Sequence, residues 1–556
     1  MGTLVQRWTA FEIAETLGWQ IGGRLRDPLP LGPAQIDTRA IVVPEFDPGD
    51  AHRGSVIEAV SVAEAGVAGA QPGAPIFVAL QGPGGHGANF WAHAVNRGAG
   101  ALLFGSDADE YLLNEVMADA IVPVLVADTD GWTALGELAN AWRRRCDFTV
   151  VGITGSTGKT STKDLLATLL APVRRTHASP ANHNNELGVP LTLLAADPDI
   201  NVVICEMGMR GRRQIEYLCE VAEPDVGVLT NVGSAHLELL GSLEAIAAAK
   251  AEVIAGTRPS GTAVVPASQP GLLALAERVP QRVLTFDVAD GAGDGAAGEQ
   301  QPEVVINVLP SSAGSNTALA DVHVVRVERS ARGIAGSVRI GATERAFSLP
   351  IHGLHNARNL AAAVAVAWAI LGDVGVSKLD LEPAALALSA GRGQRTSLDD
   401  GGIVIDDAYN ANPESVQVAL TELSAVETAG QRVAVLGYMA ELGPGEIGMH
   451  ITTGEHVAAL QVDQLVAVTT HPAVTALVLR WEELTGQRAI TFESVDAAVA
   501  SLSDWATARD AILVKASNSV GLGRCAAALV ERYVLRASAT SLSDATAITN
   551  ERGDTA

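Results

Sequence analysis

The feature that most constrains the fold is the glycine-rich run Gly152-Ile-Thr-Gly-Ser-Thr-Gly-Lys-Thr-Ser161. An apolar segment typical of a strand, Phe148 to Val151, precedes it, and a helical pattern ending near Leu170 follows it. Glycines let the backbone turn tightly, so that successive N–H groups and the positive end of the helix point at one place. Lys159 adds a full charge there, and Thr160 supplies a hydroxyl that suits Mg²⁺. The pattern predicts a nucleotide phosphate loop, with a structural tight turn as the alternative, and its candidate contacts are Gly155, Ser156, Thr157, Gly158, Lys159, Thr160 and Ser161.

The composition predicts a soluble protein of several domains. A chain of 556 residues is long enough for about three domains of ~150–200 residues. The longest uncharged run, Asn359 to Gly372, is shorter than the ~20 residues that cross a bilayer, so it predicts a buried helix and no membrane association. A net charge of −25 would repel a nucleic-acid backbone, which argues against a nucleic-acid partner.

The N-terminus and the cysteines predict a cytoplasmic protein. Residues 1–8 lack the charged and apolar regions of a signal peptide. The four cysteines show no close pairing motif; they are Cys146, Cys205, Cys219 and Cys525. We therefore expect reduced thiols and a cytoplasmic location.

Strand and helix patterns divide the chain into three α/β domains and a tail. We place a small N-terminal domain at residues 1–147 and a central domain with a mostly parallel sheet at 148–391. A doubly wound C-terminal domain follows at 392–536. Residues 537–556 are rich in Ser, Thr and Ala and predict a disordered tail.

Two segments interrupt these regular patterns. Glu45 to Gly73 is rich in Pro, Gly and Ala, which predicts an inserted and partly mobile loop. Val304 to Leu349 alternates with a period of two after the Gly/Ala/Asp-rich stretch Asp290 to Gly298. This alternation predicts an antiparallel appendage to the central domain.

Three residues downstream of the phosphate loop have the chemistry of a metal site. Glu206 ends a buried, strand-like run, where phosphate-loop proteins place a carboxylate that holds Mg²⁺, although a helix N-cap is the alternative. His236 also follows a strand-like segment, at the edge where ligands bind such sheets. Lys250 falls on the apolar face of a predicted helix that Ser242 caps.

The position of Lys250 leaves two interpretations. A buried lysine is disfavoured as a cation, so either a carboxylate pairs with it or the amine is neutral. A neutral amine can take up CO₂ to form a carbamate, whose negative charge could ligate Mg²⁺. A lysine that extends to the solvent at the rim of the helix is the alternative.

Asn356 and Asn359 are candidates for contacts with a nucleotide base. They lie one turn apart on a predicted helix and share a face. Their amides could therefore read the edge of a purine. Helix capping by Asn356 is the competing interpretation.

Polar residues at the junction of the second and third domains are candidates for the rest of the nucleotide. Arg392 at this junction could reach a γ-phosphate. A strand that ends in Asp406 and Asp407, ahead of Tyr409 and Asn410, suits ribose hydroxyls. Turn chemistry alone would also favour residues of these types.

Four motifs together resemble the Mur ligase superfamily, over nearly the whole chain. Within it they resemble the branch that adds D-alanyl-D-alanine to the UDP-N-acetylmuramoyl tripeptide. The motifs are Asn182-His-Asn184-Asn185-Glu186-Leu-Gly188-Val-Pro190, Glu206-Met-Gly208, Asn231-Val-Gly-Ser-Ala-His236-Leu-Glu238 and Asp406-Asp407-Ala-Tyr409-Asn410-Ala-Asn412-Pro413. The resemblance implies an ATP- and Mg²⁺-dependent ligase of peptidoglycan precursor synthesis that works through an acyl phosphate. It also implies an N-terminal domain for the UDP-sugar, a central ATPase and a C-terminal domain that closes on ATP and admits the dipeptide, and we expect a monomer.

The resemblance also implies roles for individual residues. Lys159 and Thr160 would contact ATP phosphates and Mg²⁺, and Lys250 matches the lysine that is carbamylated in the family. The implied catalytic residues are Lys159, Glu206, His236, Lys250 and Arg392, and the implied metal ligands are Thr160, Glu206, His236 and Lys250. The implied adenine contacts are Asn356 and Asn359, and the implied hinge and C-terminal nucleotide contacts are Arg392, Asp407, Tyr409 and Asn410. For substrate binding we predict Thr38, Arg39, Asn184 and Asn185.

The chain departs from the superfamily at three motifs. His86-Gly87-Ala88-Asn89-Phe90 replaces Asp-Gly-His-Asp-Phe, Leu436-Gly437-Tyr438-Met439 replaces Leu-Gly-Asp-Met, and Lys515-Ala516-Ser517-Asn518 replaces Lys-Gly-Ser-Arg. A folylpolyglutamate or cyanophycin type of ligase is one alternative, which the run Asn184 to Pro190 disfavours. A non-catalytic nucleotide-binding scaffold is another, which the joint presence of Lys159, Glu206, His236 and Lys250 disfavours.

Overall fold

The computed structural model describes residues 8–23, 75–82, 85–180, 183–233, 237–289, 320–330, 332–386, 388–468 and 470–534. These residues form three sheets of four, nine and six strands, together with a short two-stranded hairpin. The predicted α/β class and the three-domain organisation are confirmed, whereas the domain boundaries stay a prediction. The loop 45–73 and the tail 537–556 lie outside the described residues.

The N-terminal sheet has the strand order β1-β6-β5-β2, and every pair in it is parallel except β1 with β6. A capping box between Thr9 and Glu12 begins its first helix. The elements are α1 (Ala10–Leu17), β1 (Gln20–Gly22), β2 (Ile76–Ala79), β3 (Gln81–Gly82), β4 (Gly85–His86), α2 (Trp91–Asn96), β5 (Ala101–Phe104), α3 (Glu110–Asp119), β6 (Val124–Val126) and α4 (Gly131–Arg145).

The central sheet has the order β15-β14-β13-β12-β11-β10-β7-β9-β8 and is parallel from β8 to β13. The elements are β7 (Thr149–Thr154), α5 (Lys159–Leu170), β8 (Thr176–Ala178), α6 (Gly188–Ala195), β9 (Val202–Glu206), α7 (Gln214–Ala222), β10 (Val226–Leu229), α8 (Leu237–Leu240), α9 (Leu243–Ala255), β11 (Thr262–Pro266), α10 (Pro270–Ala276), β12 (Arg282–Val288), β13 (Val322–Ser330), β14 (Gly333–Ile340), β15 (Thr343–Leu349) and α11 (Asn356–Val376). The sequence predicts the antiparallel appendage over 304–349, of which residues 304–319 and 331 lie outside the described ranges. Strands β13, β14 and β15 pair antiparallel in this order and continue the central sheet, because β13 pairs in parallel with β12.

Helix α11 is the core helix that the uncharged run predicts. By length and composition it could cross a membrane, which is weak evidence by itself. Its residues from Leu360 to Ala367 are buried in the same apolar cluster as Leu165 and Leu169 of α5 and strands of the sheet. The helix therefore covers one face of the central sheet, as a core helix does.

The C-terminal sheet has the order β16-β17-β21-β18-β19-β20 and is parallel except for β16. The elements are β16 (Gln394–Ser397), β17 (Ile403–Asp406), α12 (Pro413–Ser424), β18 (Arg432–Leu436), α13 (Glu446–Ala459), β19 (Gln464–Val468), α14 (Pro472–Thr485), β20 (Ile490–Phe492), α15 (Val495–Ala500), α16 (Leu502–Trp505), β21 (Ala511–Lys515) and α17 (Gly523–Val534). Separate apolar clusters cover its two faces, as expected of a doubly wound sheet.

Candidate active site

The phosphate loop joins β7 to α5, as the glycine pattern predicts. Gly155 and Gly158 have φ values of +151° and +80°, which favour glycine. A Cβ at Gly155 would lie 1.9 Å from Thr230 Oγ1, and one at Gly158 would lie 2.4 Å from Asn359 Oδ1. No side chain caps the start of α5, so its first N–H groups face the loop. The turn therefore has the shape of an anion cradle.

Polar residues that follow β10 hold the loop in place. The N–H of Thr157 donates to Asn231 Oδ1 at 2.9 Å, and Thr230 Oγ1 donates to the carbonyl of Thr157 at 2.6 Å. The N–H of Gly233 donates to Ser156 Oγ at 2.8 Å. The segment from Thr230 to Gly233 is therefore a rigid support for the cradle, a role that the sequence interpretation did not assign to Asn231.

Glu206 and Thr160 meet beneath the loop. Glu206 ends β9 with 1% of its surface exposed, and its Oε2 accepts the Thr160 hydroxyl at 2.8 Å. Its Oε1 accepts Asn184 Nδ2 at 3.0 Å. Within the part of the chain that the structure describes, no lysine, arginine or histidine forms an ion pair with this carboxylate. The charge of Lys159 acts on this carboxylate without a direct ion pair. A buried carboxylate beside a hydroxyl and outside a direct ion pair is suited to hold a divalent cation.

Lys159 and Lys250 converge on one carbonyl oxygen. The Nζ atoms of Lys159 and Lys250 donate to Gly155 O at 2.7 and 3.2 Å. Lys250 is 1% exposed, and burial, followed by the nearby charge of Lys159, lowers its pKa well below the usual lysine value. Among the residues with described positions, no acid forms an ion pair with Lys250. The predicted register on the buried face of α9 is confirmed, and the solvent-reaching alternative is excluded.

Arg392, at the junction between the central and C-terminal domains, contacts the phosphate loop. Its Nη2 donates to Thr160 Oγ1 at 3.1 Å, and its guanidinium lies 4.0 Å from the centroid of the Tyr409 ring. Gly391, with φ of +71°, lets the chain turn closely against the backbone of Tyr409. The structure therefore brings Arg392 and Thr160 together across a sequence separation that gives no local signal.

Asp407 is paired with a lysine of the neighbouring strand. Lys515 at the end of β21 is 2% exposed, and its Nζ lies 2.6 Å from Asp407 Oδ2. The same Nζ donates to the carbonyl of Asn410 at 2.9 Å. Burial raises the pKa of the adjacent Asp406 carboxyl. Lys515 thus fixes the predicted ribose-facing turn, and the sequence interpretation had treated it only as part of an altered motif.

Of the two asparagines of α11, Asn359 lies against Gly158 of the phosphate loop and Asn356 lies behind it. Asn359 Nδ2 donates to Asn356 Oδ1 at 2.9 Å, and Asn356 Nδ2 donates to the carbonyl of His352 at 2.7 Å. The N-cap residue of α11 is His355, so the capping interpretation of Asn356 is wrong. The adenine contacts stay a prediction.

Other predicted site residues have structural contacts or lie outside the described residues. Asn185 Oδ1 accepts the N–H of Gly188, the first residue of α6, at 2.9 Å. Thr38, Arg39 and His236 are outside the described ranges. Among the residues that are described, no group of three His, Cys, Asp or Glu side chains could hold a metal.

A cavity of about 410 Å³ lies at the carboxyl edge of the C-terminal sheet. Tyr438, which stands where the superfamily often has aspartate, lines this cavity, and its ring contacts that of His471 in a tilted arrangement with centroids 4.0 Å apart. This substitution therefore changes the wall of a cavity at the edge where ligands bind α/β sheets.

Comparison with known proteins places this site in a family. Residues 153–367 match the family model described as Mur ligase middle domain, and residues 391–518 match Mur ligase, glutamate ligase domain. The chain belongs to the Mur ligase family. It is 35% identical over 489 residues to a protein of Mycobacterium tuberculosis named UDP-N-acetylmuramoyl-tripeptide--D-alanyl-D-alanine ligase, covering 82% of this chain and 89% of that one. A relative of the same name from Synechocystis is 33% identical over 450 residues, covering 81% and 87%.

Solved structures of Mur ligases have the same fold. A MurF from Acinetobacter baumannii aligns with a TM-score of 0.71 and 23% identity over 95% of this chain and all of that one. A MurF ligase from Thermotoga maritima in complex with ADP aligns with a TM-score of 0.63 and 25% identity, over 81% and 93%. The predicted superfamily is therefore confirmed.

Proposed function

We propose that the chain is an ATP-dependent ligase that joins D-alanyl-D-alanine to the UDP-N-acetylmuramoyl tripeptide in peptidoglycan precursor synthesis. The relatives from Synechocystis and Mycobacterium tuberculosis that carry this name each match more than four fifths of the chain. The observation that carries the proposal is the contact among Glu206, Thr160 and Arg392, because it joins the phosphate loop to the C-terminal domain. A site shared between two domains suits an enzyme that must exclude water while it reacts.

The reaction needs an activated carboxylate, since the oxygen of a free carboxylate is a poor leaving group. In the proposed sequence the terminal carboxylate of the tripeptide attacks the γ-phosphorus of ATP, which gives an acyl phosphate and ADP. The amine of the dipeptide then attacks the acyl carbon, phosphate leaves with the electron pair of the C–O bond, and the amine loses a proton. Water would hydrolyse the acyl phosphate, so the domains must be closed at this stage.

The residues of the site have separate tasks in this sequence. The N–H groups of the loop and the charge of Lys159 hold the phosphates, and Arg392 approaches from the C-terminal domain. Asn184 and Thr160 orient the carboxylate of Glu206. Mg²⁺, when bound by Glu206 and Thr160, would neutralise charge between the two anions that must approach each other.

Lys250 is proposed to act as a carbamate. Its low pKa makes the neutral amine available, and that nitrogen can bond to the carbon of CO₂ and release a proton. The resulting anion would sit beside Lys159, which shares the Gly155 carbonyl with it. A second cation held by this carbamate and His236 is part of the proposal.

The remaining assignments complete the proposal. The N-terminal domain, with Thr38 and Arg39, would bind the UDP-sugar, and the C-terminal domain would admit the dipeptide. Asn356 and Asn359 would contact adenine, while Asp407, Tyr409 and Asn410 would contact the rest of the nucleotide. The enzyme would act as a cytoplasmic monomer, with boundaries near residues 147 and 391.

Phosphate release from ATP tests the proposal. We expect rapid release only when UDP-muramoyl tripeptide and D-alanyl-D-alanine are both present. Reactions that lack the tripeptide or the dipeptide are the controls. Equal turnover with a free amino acid in place of the dipeptide would contradict the assignment of the acceptor.

A further inference from the structure

The C-terminal domain is attached differently from the N-terminal one. A single buried apolar cluster runs from Trp8 and Trp142 through Ile215 to Ala276, so the N-terminal and central domains share a core. The two apolar clusters of the C-terminal domain contain residues of that domain alone. Polar contacts between two domains suit relative motion, because separation then exposes little apolar surface.

One carboxylate lies at the centre of these polar contacts. Glu422 on α12 is 8% exposed. Its Oε1 accepts Arg329 Nη2 of β13 at 2.9 Å and the N–H of Leu354 at 3.4 Å, both from the central domain. Its Oε2 accepts Arg395 Nη2 of β16, in its own domain, at 3.1 Å. The two oxygens thus divide between the two domains.

Two of the three partners of Glu422, Leu354 and Arg395, are close in the chain to residues that contact the phosphate loop. Leu354 lies in the turn before α11, whose Asn359 abuts Gly158. Arg395 lies three positions after Arg392, whose guanidinium contacts Thr160. If Glu422 lost its hydrogen bonds to Arg329 and Leu354, Arg392 would therefore move relative to the phosphate loop.

We propose that Glu422 is a positioning residue whose contact with Arg329 and Leu354 holds the C-terminal domain where Arg392 reaches the phosphate loop. The inference of a catalytic effect rests on the proposed ligase function, whereas the effect on domain position does not. Charge-assisted hydrogen bonds of a mostly buried carboxylate are strong enough to favour one position of the C-terminal domain over others.

The experiment uses Arg329→Gln, because Arg329 is partly exposed and its loss leaves the Glu422–Arg395 pair inside the C-terminal domain. The matched control is Arg326→Gln on the same strand, since the ion pair that Arg326 forms among the described residues is an exposed one with Glu328 of that strand. Spin labels on Ala342→Cys and Gln487→Cys, two exposed positions, report the distance between the domains.

The native cysteines do not interfere with this labelling. All four are buried, and burial raises the pKa of three of them to about 12; these are Cys146, Cys205 and Cys525. Burial also raises the pKa of Cys219. Thiols of this kind react slowly with labels near neutral pH.

We expect Arg329→Gln to lengthen and broaden the distance distribution of the nucleotide-free protein and to lower kcat about tenfold, equivalent to ~1.4 kcal/mol. The KM for the tripeptide should change less than about twofold, and Arg329→Lys should restore part of both effects. Glu422→Gln should reproduce the shift, and Arg326→Gln should not.

A distance distribution of Arg329→Gln that matches the wild type overturns the proposal, whatever the activity. So does an equal shift in Arg326→Gln. If Arg329→Gln shifts the distribution but the wild-type protein ligates no dipeptide, the positioning contact stands and the proposed function fails.

Discussion

Replacing Lys250 with methionine removes a buried amine and keeps a side chain of similar length. The amine is 1% exposed, lies beside Lys159 and forms no ion pair among the described residues. Burying a polar group whose hydrogen bonds are incomplete costs about 1–3 kcal/mol, and an apolar side chain of similar length avoids that cost. We therefore expect Lys250→Met to raise the free energy of unfolding. The same variant should lower kcat by on the order of 10²–10³-fold.

A second buried lysine supplies the matched control. Lys163 on α5 is 3% exposed, but its Nζ lies 3.0 Å from Asp164 Oδ1 and donates to the carbonyl of Ser179. Lys163→Met leaves that carboxylate without its cation, so we expect a loss of about 1–3 kcal/mol. Both variants are compared with the wild type by urea unfolding in buffer freed of CO₂.

The pH dependence of unfolding tests the stability difference between Lys250→Met and the wild type independently. The folded-state pKa of Lys250 lies below its unfolded value near 10.5, so the unfolded chain binds more protons between the two values. The contribution of Lys250 to wild-type stability therefore rises with pH in that window, and the advantage of Lys250→Met should shrink as the pH rises toward 10.5. If Lys250→Met is destabilised as much as Lys163→Met, the argument that Lys250 has no ion-pair partner among the described residues is refuted.

Three further predictions follow from the contacts of the site and of the domain interface. Lys250→Ala should be nearly inactive and partly rescued by formate or acetate, which can enter the vacated space; retention of most activity, measured by phosphate release, would exclude a carbamate role. Lys159→Ala should lose on the order of 10³-fold in kcat with an unchanged melting temperature, since it removes charge from the phosphate cradle; near-normal turnover would make the loop structural. Burial by itself would raise the pKa of Glu223, but hydrogen bonds from Arg144, Arg258 and Asn140 outweigh it and lower the pKa to about 2. The contribution of the Glu223 carboxylate to the free energy of unfolding is therefore present above its unfolded pKa near 4.5 and lost as the pH falls through about 2. The free energies of unfolding of Glu223→Gln and wild type should differ by about 1–3 kcal/mol at pH 7 and converge in acid. A difference that persists at pH 2 would contradict this.

The buried strands were predictable because their signal is local. The strands Arg432–Leu436 and Gln464–Val468 contain the continuous apolar runs Val433 to Leu436 and Leu465 to Val468. Parallel strands that are covered on both faces are apolar at nearly every position, so few other patterns compete. The edge strands β16 and β20 are short and contain polar residues, and their sequences do not distinguish them from loops.

The candidate site likewise contains residues that the sequence predicts and contacts that it does not. The glycines of the loop, Glu206 at a strand end and Lys250 on a helix face follow from local pattern. The pair of Lys515 with Asp407 and the support of Thr157 by Asn231 join residues far apart in the chain. Such contacts depend on which strands are neighbours, and a single sequence does not state the order of strands in a sheet.

The central claim is that a phosphoryl group passes to the carboxylate before the amide forms. Tripeptide labelled with ¹⁸O in its terminal carboxylate tests this step, with ATP, Mg²⁺ and D-alanyl-D-alanine present and with mass spectrometry of the products. Attack of the carboxylate on the γ-phosphorus predicts one ¹⁸O in the phosphate released for each amide formed, together with ADP. Unlabelled phosphate, or AMP that carries the label, would contradict the account.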